Sequence, residues 1–203
     1  MSDKIQSFKC PNCNAPIKID SYTCSYCGHD YIVSDLSSLE GIDSTTINKY
    51  ISIYKDQLDD KPNDSMLNLG LGICYLNLGL NDFAQSYLKR AVDISPENSE
   101  TYFYYAFSLI NEEKLNLMKI QKIKEIEKLI SAAIKINPKK AIYYYFLIII
   151  KKEFYIKNGF RNDTPINELI EKANSLKYDE KEIKQFIKLL NITDNDFRNL
   201  IKN

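Results

Sequence analysis

SMLNLGLGICYLNLGLNDFAQSYLKRAVDISPEN, residues 65–98, is the stretch that decides the fold. Gly72, Ala84, Ala91 and Pro96 follow one another at intervals of 12, 7 and 5 positions, with Leu71, Tyr75 and Leu88 among them and Gly79 between two apolar segments. Each segment repeats its apolar residues with a helical period, so two helices are expected, with Pro96 closing the second. The ending recurs along the chain. LDDKPND (58–64), VDISPEN (92–98) and IKINPKK (134–140) each carry an aliphatic residue four places before a proline, and Pro62 and Pro96 are 34 residues apart.

A 34-residue spacing with these small, aromatic and proline positions resembles the tetratricopeptide repeat. The resemblance implies pairs of helices that cross closely at the small residues, with the proline ending the second helix of each pair. A second repeat opens at 99 with Tyr102, Tyr105 and Ala106 and closes with Ala133 and Pro138. It spans 99–140, eight residues beyond the usual length, with the excess around NEEKLNLMKIQKIKE (111–125). The third, near 141–176, is degenerate, since Ile148 stands where a small residue is expected and no proline closes it. Its first helix is expected to run to about Lys157, GFRNDTP to form a loop and INELIEKANSL to form the second helix. Helices over 179–201 would cap the array, because end repeats must present one face to water. Before the repeats, Ser44 or Thr45 is expected to cap a helix with Ile47, Tyr50, Ile51, Tyr54 and Leu58 on one face. The expected fold is therefore mainly α, a solenoid of about 2.5–3.5 helix pairs over 44–203, preceded by a linker at 34–43.

Residues 1–33 read differently. Cys10 and Cys13 form one C-x-x-C pair and Cys24 and Cys27 a second, ten residues later. Two such knuckles present four thiolates to one point, and soft sulfur ligands select zinc or iron. Ile17 and Ile19 alternate with polar residues as a short hairpin strand would, and DYIV (30–33) offers a further strand. Gly28 follows the second knuckle and Asn14 the first, both residue types that accept a positive φ. The stretch resembles a short zinc ribbon, which implies a β-hairpin around one structural Zn2+ held by Cys10, Cys13, Cys24 and Cys27. Four cysteines close the shell and leave no place for a catalytic water. His29, the single histidine, is expected to face solvent beside a full shell. So small an apolar inventory predicts that metal binding and folding of this segment are coupled. Cys74 lies in an apolar helix face and is expected to be a buried core residue.

The opening MSDKIQSFKC has no apolar h-region, and the longest apolar run, AIYYYFLIII, is half a membrane span, so a cytoplasmic location is expected. With one histidine, no G-x-x-x-x-G-K-[ST] loop and no G-x-G-x-x-G turn, nothing supports an enzyme. The expected function is that of a protein–protein interaction adaptor or scaffold. By register, Leu69, Ile73, Phe103, Phe107, Tyr145 and Ile149 point toward the concave face of the stack. That apolar strip either receives a protein or peptide partner or is filled by the helices of 179–201 folding back. A second candidate surface is the lysine-rich helix of 114–140, which carries eight lysines against two glutamates, among them Lys119, Lys122, Lys124 and Lys128. Ribbon and lysines together would suit the alternative, a nucleic-acid-binding regulator. Formal neutrality of the chain and its three arginines weigh against that alternative.

Overall fold

The computed structural model describes residues 8–10, 13–17, 23–28, 32–110, 113–162 and 164–201. Near the N-terminus, β1 (Phe8–Lys9) and β2 (Pro16–Ile17) pair antiparallel, with Phe8 opposite Ile17 and Lys9 opposite Pro16. Ile19, His29 and residues 30–31 of the expected later strand lie outside the described residues, and Ile32 and Val33 are not in a strand. The segment 34–43, expected as a linker, contains a 3₁₀ turn, Leu36–Leu39, whose two leucines are buried.

Nine helices follow among the described residues: α1 (Ser44–Asp60), α2 (Ser65–Asn77), α3 (Asn81–Ile94), α4 (Ser99–Ser108), α5 (Ile120–Ile136), α6 (Ala141–Ile150), α7 (Ile166–Asn174), α8 (Glu180–Leu189) and α9 (Asp194–Leu200). α2 packs on α3, α4 on α5 and α6 on α7, and α3–α4 and α5–α6 contacts join the pairs into one stack. No described helix is long and apolar enough to cross a membrane.

The repeated proline endings explain the helix starts. Two residues after Pro62, the Asp64 carboxylate accepts from the N–H groups of Met66 (2.9 Å) and Leu67 (3.1 Å). Two residues after Pro96, Asn98 accepts from Glu100 N–H at 3.0 Å. Each side chain thus satisfies a donor that the first helical turn leaves unpaired. After Pro138 the same place is Lys140, which caps nothing and instead pairs with Glu100 at 2.7 Å. α1 is capped one residue earlier than expected: Asp43, rather than Ser44 or Thr45, accepts from Thr46 N–H at 3.0 Å. A carboxylate also suits the positive end of the helix.

At the crossing of α2 and α3, a Cβ on Gly72 would overlap the buried Leu88 side chain, so the small residue is what lets the helices approach. The excess length of the second repeat lies between α4 and α5. There a 3₁₀ turn, Leu115–Leu117, buries Leu115, and Asn116 accepts through its carbonyl from Asn158 at 3.0 Å. α6 continues through a π-helical turn, Lys151–Ile156, and ends at Lys157. Within that turn the largely buried Lys151 contacts Glu127 at 2.5 Å and lies 4.5 Å from the centre of the Tyr155 ring, while the Tyr155 hydroxyl donates to Glu127 at 2.7 Å. The cation is therefore compensated on two sides.

The strip expected to form a partner groove is closed. Leu69, Ile73, Phe103, Phe107, Tyr145 and Ile149 are all buried. α8 is amphipathic, with Ile183, Phe186 and Ile187 on its buried face. The Phe186 ring lies 5.7 Å from Phe103, 5.4 Å from Phe107 and 5.4 Å from Phe146. From α9, Phe197 meets Tyr145 edge-on at 5.3 Å. An apolar strip of this kind is costly in water, and the chain covers its Phe103, Phe107 and Tyr145 part with its own last two helices.

Candidate metal centre

The two knuckles are built alike. Asn14 N–H donates to the Cys10 carbonyl and Gly28 N–H to the Cys24 carbonyl, each at 2.9 Å. Asn14 (φ 59°) and Gly28 (φ 68°) then turn the chain through the left-handed region. Across the knuckles, the sulfurs of Cys10 and Cys27 are 3.8 Å apart and those of Cys13 and Cys24 are 3.7 Å apart. All four sulfurs fall within 4.8 Å of one another, and none is in a disulfide. A tetrahedron with metal–sulfur bonds of about 2.3 Å has edges of about 3.8 Å. These two of the six sulfur–sulfur edges therefore stand at tetrahedral spacing, and the others lie within 4.8 Å.

The electrostatics fit cation binding. The N–H groups of Tyr26 and then Cys27 stabilise the Cys24 thiolate, and its pKa is lowered to about 7. The Ala15 N–H acts the same way on Cys13, but desolvation and the sulfurs of Cys27, Cys10 and Cys24 outweigh it and push this thiol up to about 12. Four thiolates cannot share this volume without a cation among them. One of each pair, Cys10 and Cys24, is buried; Cys13 and Cys27 are exposed. Of the two buried cysteines, Cys10 lies near enough to α1 to act on Tyr50. Burial, and after it the nearby thiols of Cys74 and Cys10, raise the Tyr50 phenol on α1 to about 12. Cys74 is fully buried in α2, and burial raises its own thiol to about 12, as fits a core residue.

The candidate basic face is present on α5. Lys124 and Lys128 are exposed, as is Lys119 at the helix start, while Lys122 is half-buried and 3.6 Å from Glu113. Between them Ile123, Ile126 and Ile130 face the core.

One cluster escaped the sequence reading. Tyr104, fully buried on α4, accepts from Leu36 N–H at 3.1 Å and donates to Glu182 of α8 at 3.0 Å. Glu182 is 6% exposed. Burial raises its pKa to about 7, Lys140 opposes the shift, and Glu100 and Asp35 add to it. A cleft of about 650 Å³ opens beside it, lined by Lys139, Lys140, Lys177, Tyr178 and Asp179 among others. The only signal in the sequence was an acid in phase with the apolar stripe Ile183, Phe186 and Ile187.

No family model matches this chain, and no curated protein is similar to it. Among solved structures, it resembles TTC0263, a thermophilic TPR protein of Thermus thermophilus, at 16% identity and a TM-score of 0.52, over 77% of this chain and 89% of that one. MamA from Desulfovibrio magneticus RS-1 superposes at 13% identity and a TM-score of 0.47, over 79% and 78% of the two chains. The first likeness concerns fold alone. Together with the paired helices and the proline endings, it gives the conclusion: this chain has the fold of a tetratricopeptide-repeat solenoid, with a four-cysteine cluster at its N-terminus.

Proposed function

We propose that this chain is a non-enzymatic, cytoplasmic protein-interaction scaffold with one structural zinc ion held by Cys10, Cys13, Cys24 and Cys27. In this reading residues 1–33 form the zinc ribbon, 34–43 join it to the stack, and 44–203 form the repeat domain. The observation that carries the proposal is the sulfur geometry, with edges of 3.7 and 3.8 Å and two of the four cysteines buried. A shell of four thiolates has no open position for water or substrate, so the metal serves as a clasp and supplies no reaction. Metal chemistry set aside, the function falls to the helical surface. With the apolar strip filled, the exposed α5 lysines, Lys119, Lys124 and Lys128, are the surface that supports partner binding, and their charge suits an acidic protein segment.

The test is a full-length Lys119→Glu, Lys124→Glu, Lys128→Glu variant that keeps its helical circular dichroism. A partner identified with the wild type, and rebound from pure components by the wild type but not by the variant, supports the scaffold. Steeply salt-dependent binding to mixed oligonucleotides, lost in the same variant, would establish the nucleic-acid regulator instead.

A further inference from the structure

Leading from the cysteine cluster to α1, the segment Val33–Glu40 is held as a bound peptide would be. Val33, Leu36 and Leu39, three residues apart, are each at most 2% exposed. Tyrosine hydroxyls read the backbone at the first two: Val33 N–H donates to Tyr54 at 2.8 Å and Leu36 N–H to Tyr104 at 3.1 Å. Gly70 on α2 makes room for the segment. A Cβ there would stand 2.9 Å from Tyr54 Cε2 and 3.2 Å from the Val33 carbonyl oxygen. After the last leucine, Glu40 pairs with Lys181 of α8 at 3.1 Å. The segment's own structure is slight. It consists of one 3₁₀ turn, with Asp35 accepting from Ser38 N–H at 2.9 Å and from the Ser37 hydroxyl at 2.7 Å. Its three aliphatic side chains are therefore buried, and two of its amides are satisfied by tyrosines of α1 and α4, while Ser38 and Glu40 N–H bond within the segment.

We propose that the surface holding this segment is a peptide-reading site whose resident occupant is the chain's own Val33–Glu40, and that it accepts in exchange a partner segment of the same chemistry: aliphatic residues at three-residue intervals followed by an acidic residue. Tyr54 and Tyr104 recognise main-chain N–H groups, which any such segment supplies. The pockets of Val33, Leu36 and Leu39 set the aliphatic spacing, and Lys181 sets the charge at the end. Exchange releases the link between the cysteine cluster and the stack, so partner binding and the position of the cluster are coupled. The surface is distinct from the α5 lysines and stands or falls independently of them.

A tethered occupant acts at an effective concentration on the order of 1 mM, so it weakens a competing peptide of about 100 µM intrinsic affinity by roughly tenfold. The experiment is fluorescence anisotropy with a labelled peptide IVSDLSSLEGI, the sequence of residues 32–42. It is titrated against zinc-loaded full-length protein, wild type and Leu36→Ser/Leu39→Ser. The double variant is expected to bind the peptide at least about tenfold more tightly than wild type, and a peptide with both leucines replaced by aspartate is expected not to bind. A variant that retains its helical circular dichroism but binds no better than wild type overturns the proposal. Should the variant lose that signal, amide exchange on wild type decides alone. Exchange of the Val33 and Leu36 amides through an opening that leaves α2 and α4 protected supports it, and exchange of these amides only with global unfolding overturns it.

Discussion

Replacing Glu182 with glutamine probes the buried junction of α4, α8 and the segment before α1. In the folded chain this carboxyl titrates near pH 7, against 4.5 for an unburied glutamate. Between those two values the native state retains a proton that the unfolded chain has released. The stability this contributes is fully present below pH 4.5 and is lost as pH rises through about 7. A difference of about 2.5 units at 1.36 kcal/mol each sets an upper estimate of about 3 kcal/mol. The cleft beside Glu182 admits some solvent, so about 2 kcal/mol is the expected change. Glutamine keeps the acceptor for the Tyr104 hydroxyl and has no charge to bury. Urea unfolding of metal-saturated protein, followed by far-UV circular dichroism at pH 5, 6, 7 and 8, reads the effect directly. Subtracting one protein's profile from the other's cancels the titrating groups that do not interact with Glu182 and leaves its own titration, with that of Lys140, Glu100 and Asp35 around it. Glu182→Gln is expected to gain about 2 kcal/mol on wild type between pH 5 and pH 8, levelling off above the carboxyl's folded pKa. Profiles that run parallel across this range would refute the reasoning, because they would mean that ionising Glu182 costs the fold nothing.

Three further outcomes are expected. Phe186→Ala removes the ring packed among Phe103, Phe107 and Phe146 and should cost roughly 3–5 kcal/mol in the urea midpoint analysis; a loss below about 1 kcal/mol would mean that α8 does not seal the strip. Gly72→Ala gains up to about 1 kcal/mol of helix propensity but drives a methyl group into Leu88, so the melting temperature should fall, and a rise would contradict the close crossing of α2 and α3. Cys24→Ser, or strong chelation, should collapse the amide spectrum of the cysteine-cluster segment while α3–α7 stay helical; an unchanged spectrum for that segment would separate its folding from metal.

The parts that were legible in the sequence are those with local causes. Gly72 marks the close crossing of α2 and α3, Ala84 and Ala91 are buried on α3, and the proline endings place the helix starts through Asp64 and Asn98. The two C-x-x-C pairs and the positive φ at Asn14 and Gly28 are likewise features of single knuckles. What was not legible depends on which element covers which. Periodicity announces that Phe103, Phe107 and Tyr145 form an apolar strip, but it leaves open whether a partner or α8 and α9 cover it. The Val33, Leu36, Leu39 spacing was present in the text, hidden among Ser, Asp and Gly that read as linker. Glu182 is a tertiary event altogether: its proton affinity comes from the burial that packing on α4 and the Asp35 turn imposes.

The central claim, that four sulfurs close around one structural metal ion, is tested most directly by X-ray absorption at the zinc edge on purified full-length protein. The account predicts one zinc per chain, surrounded by four sulfur atoms at about 2.3 Å with no lighter ligand. A shell containing nitrogen or oxygen, or protein that folds fully and holds no zinc at all, would contradict it.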